Sequence, residues 1–299
     1  PHFDDTVLLL KSNITDGSTS FTDSSSSSHT IVSYASPTHK TSEKKFGSSS
    51  IRFDGCNWCT PPADALGIPY SSDFDFGTGD FTIEAWIRPD DDYGTIGGIF
   101  STWTNGVGYG IVTRYASHFD GITRFYFIDE DNSYHPDGVW ATNNQGDDGL
   151  EVVQGVWSHI AVSRQNGVLK MFVNGVEGFS IAHTSNLNVG DSTIGAMVGK
   201  FSSDVPSSAH PPDRNYFKGY IEDLRVTKGV GRYDENFDIA DLESSTLGFQ
   251  GRPRPVMVNS MYGIAQNHHD GSESEDDIFF VSSSESFTRD RVEDVPWLS

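Results

Sequence analysis

The stretch from residue 156 to residue 175 constrains the fold most tightly. Apolar and polar side chains alternate from residue 158 to 164 and again from 169 to 173, the pattern of half-buried β-strands. Between the two runs, Asn166-Gly167 supplies residues that accept the positive φ angles of a tight hairpin turn. Asn174-Gly175 repeats this turn signal at the far end. The stretch predicts a β-meander around which the other strands pack.

Five segments of the chain resemble one known family, the laminin G-like domains of the concanavalin A-type lectin/glucanase superfamily. The variant they resemble is common in structural proteins of tailed phages. The resemblance covers roughly residues 5–240 and implies an all-β fold, a two-sheet antiparallel jelly-roll sandwich. It says less about function, because function depends on sites carried by a fold. The segments are residues 157–176, 45–55, 76–87 and 217–230, and the group Arg232-Tyr233 with Phe237.

The composition changes after residue 240. We expect residues 1–240 to form the sandwich and residues 241–299 an extended C-terminal arm. The arm carries 11 acidic and 4 basic residues, and such a segment does not fold alone. We expect it to order on a partner or on the sandwich itself. Its apolar residues are the expected assembly anchors: Phe279, Phe280, Phe287, Val295, Trp297 and Leu298.

The net charge of −22 argues against nucleic acid and anionic membranes as partners, because both attract basic surfaces. It favours a well-solvated surface, calcium binding or a basic partner. No apolar run reaches the ~18 residues of a membrane span, and the first residues show no signal peptide. We therefore expect synthesis in a host cytoplasm and display at a virion surface, although earlier cleavage of a signal peptide stays open.

Two kinds of ligand site have candidate residues. The acidic pairs Asp129/Asp131 and Glu222/Asp223 could supply oxygen ligands for calcium, but they lack the spacing of a recognised calcium loop. We therefore expect calcium to be an optional cofactor, and no cofactor to be required. The aromatic residues of the connecting loops could stack on sugar rings or anchor their own loops. The candidates for glycan contact are Trp103, Tyr115, Tyr134 and Trp140.

The chain has two cysteines, Cys56 and Cys59, in a loop after a predicted strand. A structural zinc site needs about four ligands, so zinc is disfavoured without histidine partners. A local disulfide and two free thiols both remain open. The disulfide requires that the protein leaves a reducing cytoplasm.

Glu84 lies on a predicted core strand and is the one candidate for a glycosidase acid. Retaining and inverting glycosidases need a pair of carboxylates, and the Glu-x-Asp-x-x-Glu pattern of the related glucanases is missing. Three functions are therefore weighed. The first is a non-enzymatic virion protein, either an outer capsid decoration or a tail-fibre module, with other virion proteins, copies of itself (a trimer among the options) and host-surface glycans as partners. The second is a carbohydrate-binding lectin, and the third a glycoside hydrolase.

Overall fold

The chain forms a two-sheet antiparallel β-sandwich in a computed structural model, as the sequence predicts. The structure describes residues 4–56, 63–90, 96–102, 108–116, 119–127, 139–140, 151–187, 189, 194–201 and 216–243. Every strand pairing in this part of the chain is antiparallel. None of its helices is both long and apolar enough to cross a membrane.

Among the described residues, the first sheet has eight strands. Their order across the sheet is β13 (Val176–Ala182), β12 (Val168–Val173), β11 (Ser158–Gln165), β6 (Phe81–Pro89), β15 (Tyr216–Lys228), β4 (Ser50–Cys56) and β3 (Thr38–Lys40), and β1 (Thr6–Leu10) also pairs with β15. Strand β15 is long enough to pair with β6 along one edge and with both β4 and β1 along the other.

The second sheet has seven strands in the part of the chain that the structure describes. Their order is β10 (Val139–Trp140), β9 (Phe119–Phe127), β8 (Tyr109–Ala116), β7 (Ile96–Ser101), β14 (Ile194–Val198), β5 (Ala65–Pro69) and β2 (Val32–Tyr34). Two short helical elements complete the described chain, a 3-10 turn (Ser72–Phe74) and α1 (Ile239–Glu243). The domain boundary that we expected at residue 240 falls inside α1.

The predicted meander is present. Strands β11 and β12 pair from Ile160↔Val173 to Gln165↔Val168, and the turn residues Asn166 and Gly167 have φ angles of 51° and 75°. The second turn joins β12 to β13 through Asn174 and Gly175, again with positive φ. Both turns therefore use the residues that tolerate this backbone conformation.

The main core lies between the two sheets. Ile83, Ile160 and Val162 contribute from the eight-stranded sheet, and Ile111 and Phe125 from the seven-stranded sheet. Because side chains alternate along a strand, the residues between them point to the outer faces. The outer face of the eight-stranded sheet carries the features that follow.

Candidate functional site

The exposure of the outer face of the eight-stranded sheet changes along β6. Thr82, Glu84, Trp86 and Arg88 alternate with the core residues of this strand and so share the outer face. Thr82 and Glu84 are fully buried and Trp86 is 1% exposed, whereas the side chain of Arg88 is 21% exposed. Three of these four positions are therefore covered, and the fourth remains accessible.

The cover comes mainly from residues 230–243, which we call the C-terminal strap. Tyr233, Phe237 and Leu242 of the strap pack in one apolar cluster with Trp86 and Phe172 of the sheet. Tyr233 and Phe237 also stack on each other at 4.0 Å between ring centroids. The strap thus gives this face a small second core of its own.

Polar contacts fix the strap along its length. The Thr82 hydroxyl donates to the Val230 carbonyl at 3.0 Å and accepts from the Arg232 amide at 2.9 Å. At the other end, the Phe237 amide donates to the Gly175 carbonyl at 2.9 Å. The strap is therefore an integral part of the sandwich.

A buried ion cluster lies beneath the strap, centred on Glu84. Arg225 donates to Glu84 Oε1 through Nε at 2.7 Å and also through Nη2. The Tyr233 hydroxyl donates to Glu84 Oε2, which lies 3.3 Å from His159 Nε2. The Nε atom of Arg232 lies 3.4 Å from Oε1. The Glu84 carboxylate is therefore surrounded by donors.

The cluster keeps Glu84 ionised. Burial alone would raise the pKa of Glu84, but Arg225, the His159 hydrogen bond and Arg232 outweigh it and hold that pKa well below its usual range. Burial lowers the pKa of His159 despite the neighbouring carboxylate. Glu84 is thus a fixed counter-ion, whereas a glycosidase acid needs a raised pKa and access to substrate.

The accessible end of the same face presents a different set of side chains. The register places Arg52 of β4 opposite Tyr220 of β15, and Tyr220 opposite Arg88 of β6. Trp157 directly precedes β11, and Ser158, the first residue of β11, pairs with Ile87 beside Arg88. We call Arg52, Tyr220, Arg88 and Trp157 the aromatic–arginine row.

The members of the row contact one another around Tyr220. The guanidinium carbons of Arg52 and Arg88 lie 4.8 and 5.7 Å from the centroid of the Tyr220 ring, within the range of cation–π attraction. The Trp157 ring lies 6.4 Å from that of Tyr220. Tyr220 and Trp157 are both partly exposed. The row is therefore a pre-formed surface of two aromatic rings and two guanidinium groups.

Both arginine residues of the row contact carboxylates. Arg52 donates two hydrogen bonds to Asp90, at 2.6 and 2.7 Å, and a third to Asp54 at 3.0 Å. The Nε atom of Arg88 lies 3.5 Å from Glu43. Planar rings that stack and charged groups that exchange hydrogen bonds with hydroxyls are the chemistry that holds a sugar.

The loop before β11 extends this surface with apolar side chains. Val153 and Val156 are 55% and 52% exposed. The loop is held against the sheet because the Gly155 amide donates to the Pro89 carbonyl at 2.8 Å. Trp157 therefore lies between an anchored apolar loop and the rest of the row.

A family model confirms the relationship that the sequence segments indicate. The model described as the concanavalin A-like lectin/glucanases superfamily, of the laminin G type, matches residues 64–231. This chain belongs to that superfamily. Comparison with curated proteins gives no match.

Several solved structures have the same fold as this chain. The binding domain of Paraclostridial mosquitocidal protein 1 is 13% identical with a TM-score of 0.55, and the match covers 80% of this chain and 51% of that one. The binding domain of botulinum neurotoxin serotype D is 12% identical with a TM-score of 0.53, covering 77% and 49%. A structure of botulinum neurotoxin type C, whose cell entry depends on interaction with two ganglioside molecules, is 13% identical with a TM-score of 0.52, covering 79% and 50%. The chain spans about half the length of these neighbours.

The calcium candidates Glu222 and Asp223 lie in a bulge of β15. The four residues of β15 from Glu222 to Arg225 oppose three of β6, from Trp86 to Glu84, and Asp223 has a φ angle of 51°. The two Glu222 carboxylate oxygens accept the backbone amides of Lys45 and Phe46 at 2.7 and 2.9 Å. Glu222 therefore holds the loop of Lys45 and Phe46, and the Phe46 ring packs on Trp86.

Burial perturbs both carboxyl groups of the bulge. It raises the pKa of Glu222 to about 7, against the two backbone hydrogen bonds, which lower it. It raises the pKa of Asp223 to about 6, opposed by Lys11 and Arg225. Across the described ranges, no group of three or more His, Cys, Asp or Glu side chains is arranged to hold a metal ion. Calcium binding at Glu222 and Asp223 stays a prediction.

Two of the four aromatic glycan candidates lie in strands of the second sheet. Tyr115 is the penultimate residue of β8. Trp140 lies in β10 and pairs with Arg124. Trp103 and Tyr134 lie outside the described residues.

Other candidates also lie outside the described residues. They include Asp129 and Asp131, and also Cys59, so the state of Cys56 at the end of β4 stays a prediction. The arm anchors lie outside as well: Phe279, Phe280, Phe287, Val295, Trp297 and Leu298.

Sequence reasoning missed the aromatic–arginine row, although Arg52, Trp157 and Tyr220 lie in the segments that carry the resemblance and Arg88 directly follows one of them. Alternation along each strand indicates that Arg52, Arg88 and Tyr220 face away from the core. That they share one row depends on the register between distant strands, which the sequence does not show.

Proposed function

We propose that this chain is a non-enzymatic glycan-binding module displayed on the surface of a tailed-phage virion. The aromatic–arginine row carries the glycan-binding part of the proposal, because it is the portion of the strap-covered face that stays accessible. Stacking on Trp157 and Tyr220 supplies contact area, and the flanking charged groups supply hydrogen bonds to hydroxyls. The toxin structures with the same fold, among them that of botulinum neurotoxin type C, whose cell entry depends on gangliosides, support the proposal by analogy.

The absence of catalysis is supported by the state of Glu84. The one carboxylate that resembles a glycosidase acid is buried and occupied by Arg225 and Tyr233. Turnover of laminarin or a similar glucan that Glu84→Gln abolishes, in a variant that remains folded, would contradict this part of the proposal.

Glycan binding is tested by screening the purified chain on a broad glycan array and titrating the best glycan. Trp157→Ala and Tyr220→Ala should each weaken binding about tenfold, which corresponds to ~1.4 kcal/mol of stacking and burial. Tyr70→Ala is the matched control, because Tyr70 is also an exposed aromatic residue, 51% accessible, but lies outside the row. Melting temperatures confirm that the variants fold. The proposal fails if no glycan binds or if both row variants bind like the natural chain.

The virion location is supported by the sequence alone. The segments 45–55, 76–87 and 217–230 resemble the variant found in tailed-phage structural proteins, and the net charge of −22 suits a solvated particle surface. Light scattering and limited proteolysis of the chain, with and without residues 244–299, which lie beyond the strap, test assembly through the arm. A trimer that needs the arm, or a monomer whose arm is cleaved until a partner binds it, supports the proposal. A monomer with a protected arm contradicts it.

A further inference from the structure

The two arginine residues of the aromatic–arginine row differ in their partners. Arg52 has all three of its guanidinium nitrogens bound to carboxylates, since both terminal nitrogens bind Asp90 and its Nε binds Asp54. Arg88 has one ion-pair contact within the described chain, through Nε to Glu43 at 3.5 Å. Its terminal nitrogens make no hydrogen bond with the described residues.

Two aromatic rings lie near Arg88. Tyr220 lies beside it, with the Arg88 guanidinium carbon 5.7 Å from the ring centroid, and the Tyr220 hydroxyl also has no hydrogen-bond partner among the described residues. The Trp157 ring lies 6.4 Å from that of Tyr220, and Trp157 precedes β11, which pairs with the strand of Arg88. A guanidinium group with both terminal nitrogens available binds a carboxylate through two parallel hydrogen bonds.

We propose that Arg88 binds the carboxylate of an acidic sugar, so that the row selects acidic over neutral glycans. The sugar ring packs on Trp157 and Tyr220 while its carboxylate pairs with Arg88. A protein with a net charge of −22 repels an acidic ligand at long range, so selection needs a positive group in the site itself. Glu43 competes for the same guanidinium. This inference rests on the proposed function and adds the ligand class to it.

Matched pairs of sugars test the selection directly. The pairs are trigalacturonic acid against its methyl ester and sialyllactose against lactose, each titrated by calorimetry. At least one acidic sugar should bind about tenfold more tightly than its neutral counterpart, a difference of ~1.4 kcal/mol. Arg88→Gln should remove that preference, and Arg88→Lys should retain only part of it because lysine cannot form the two parallel hydrogen bonds.

Two further variants separate a specific role from a general charge effect. Lys228→Gln removes the same single charge at the far end of β15 and should leave the preference unchanged. Glu43→Gln removes the competing carboxylate and should strengthen binding of the acidic sugar several-fold. Equal binding of acidic and neutral sugars, or a preference that survives Arg88→Gln, overturns the inference while the proposed function stands. If neither these sugars nor any array glycan binds, the proposed function fails as well.

Discussion

Replacing Glu84 by glutamine tests the role of the buried ion cluster. The substitution keeps the shape of the side chain but removes the carboxylate at the centre of the cluster. Arg225 is 2% and Arg232 3% exposed, so both guanidinium groups lose this counter-ion in a place that water does not reach. Removing one partner of a buried pair costs about 3–5 kcal/mol, because the remaining charge is uncompensated. We therefore expect Glu84→Gln to lower the free energy of unfolding by that amount.

Urea denaturation followed by tryptophan fluorescence measures this change. The double variant Glu84→Gln/Arg225→Met is the control, because removing both charges of the pair should restore part of the lost stability. A loss of less than about 1 kcal/mol in Glu84→Gln would refute the reasoning, since it would mean that the carboxylate contributes no more than an exposed ion pair.

Two further perturbations address the strap and the bulge. A Cβ atom on Gly175, which has a φ of +79°, would lie 2.0 Å from the Phe237 carbonyl oxygen, whereas one on Gly17, with a φ of +75°, would meet nothing within 4 Å. Gly175→Ala should therefore destabilise the chain by at least about 2 kcal/mol more than Gly17→Ala in the same urea assay. Equal losses in the two variants would contradict the close packing of the strap. The folded pKa of Glu222, about 7, lies above its ordinary value of 4.5, so the folded state holds this proton more tightly than the unfolded chain. The stability that Glu222 contributes by binding this proton is complete below pH 4.5 and is lost as the pH rises through 7. The free energy of unfolding should therefore fall by on the order of 3 kcal/mol from pH 4.5 to pH 8. Asp223 acts with the same sign, and Glu222→Gln should flatten the profile; an unchanged profile in that variant would contradict the assignment.

The sequence was sufficient for the fold because its signals are local. Alternation in β11 and β12 and the Asn-Gly turns specify the meander. The structure confirms both turns and the predicted core strand that carries Glu84. The extent of β13 was not predicted, because its residues lie at a sheet edge and are only partly buried or exposed.

The site was harder to predict because it depends on contacts between distant segments. Glu84 and Arg225 are 141 residues apart, and Glu84 and Tyr233 are 149 apart. Glu222 appeared available for calcium because the sequence does not show the Lys45 and Phe46 amides that its carboxylate binds. Tyr220 is absent from the sequence candidates for glycan contact because residues within strands are usually assigned to packing. Only the register between strands reveals the arginine neighbours of Tyr220.

A crystal structure of the chain with its best-bound glycan tests the central claim most directly. The account predicts a sugar ring packed against Trp157 and Tyr220, with a sugar oxygen within hydrogen-bond distance of Arg88. A sugar bound at the opposite end of the sandwich, with the aromatic–arginine row unoccupied, would contradict it.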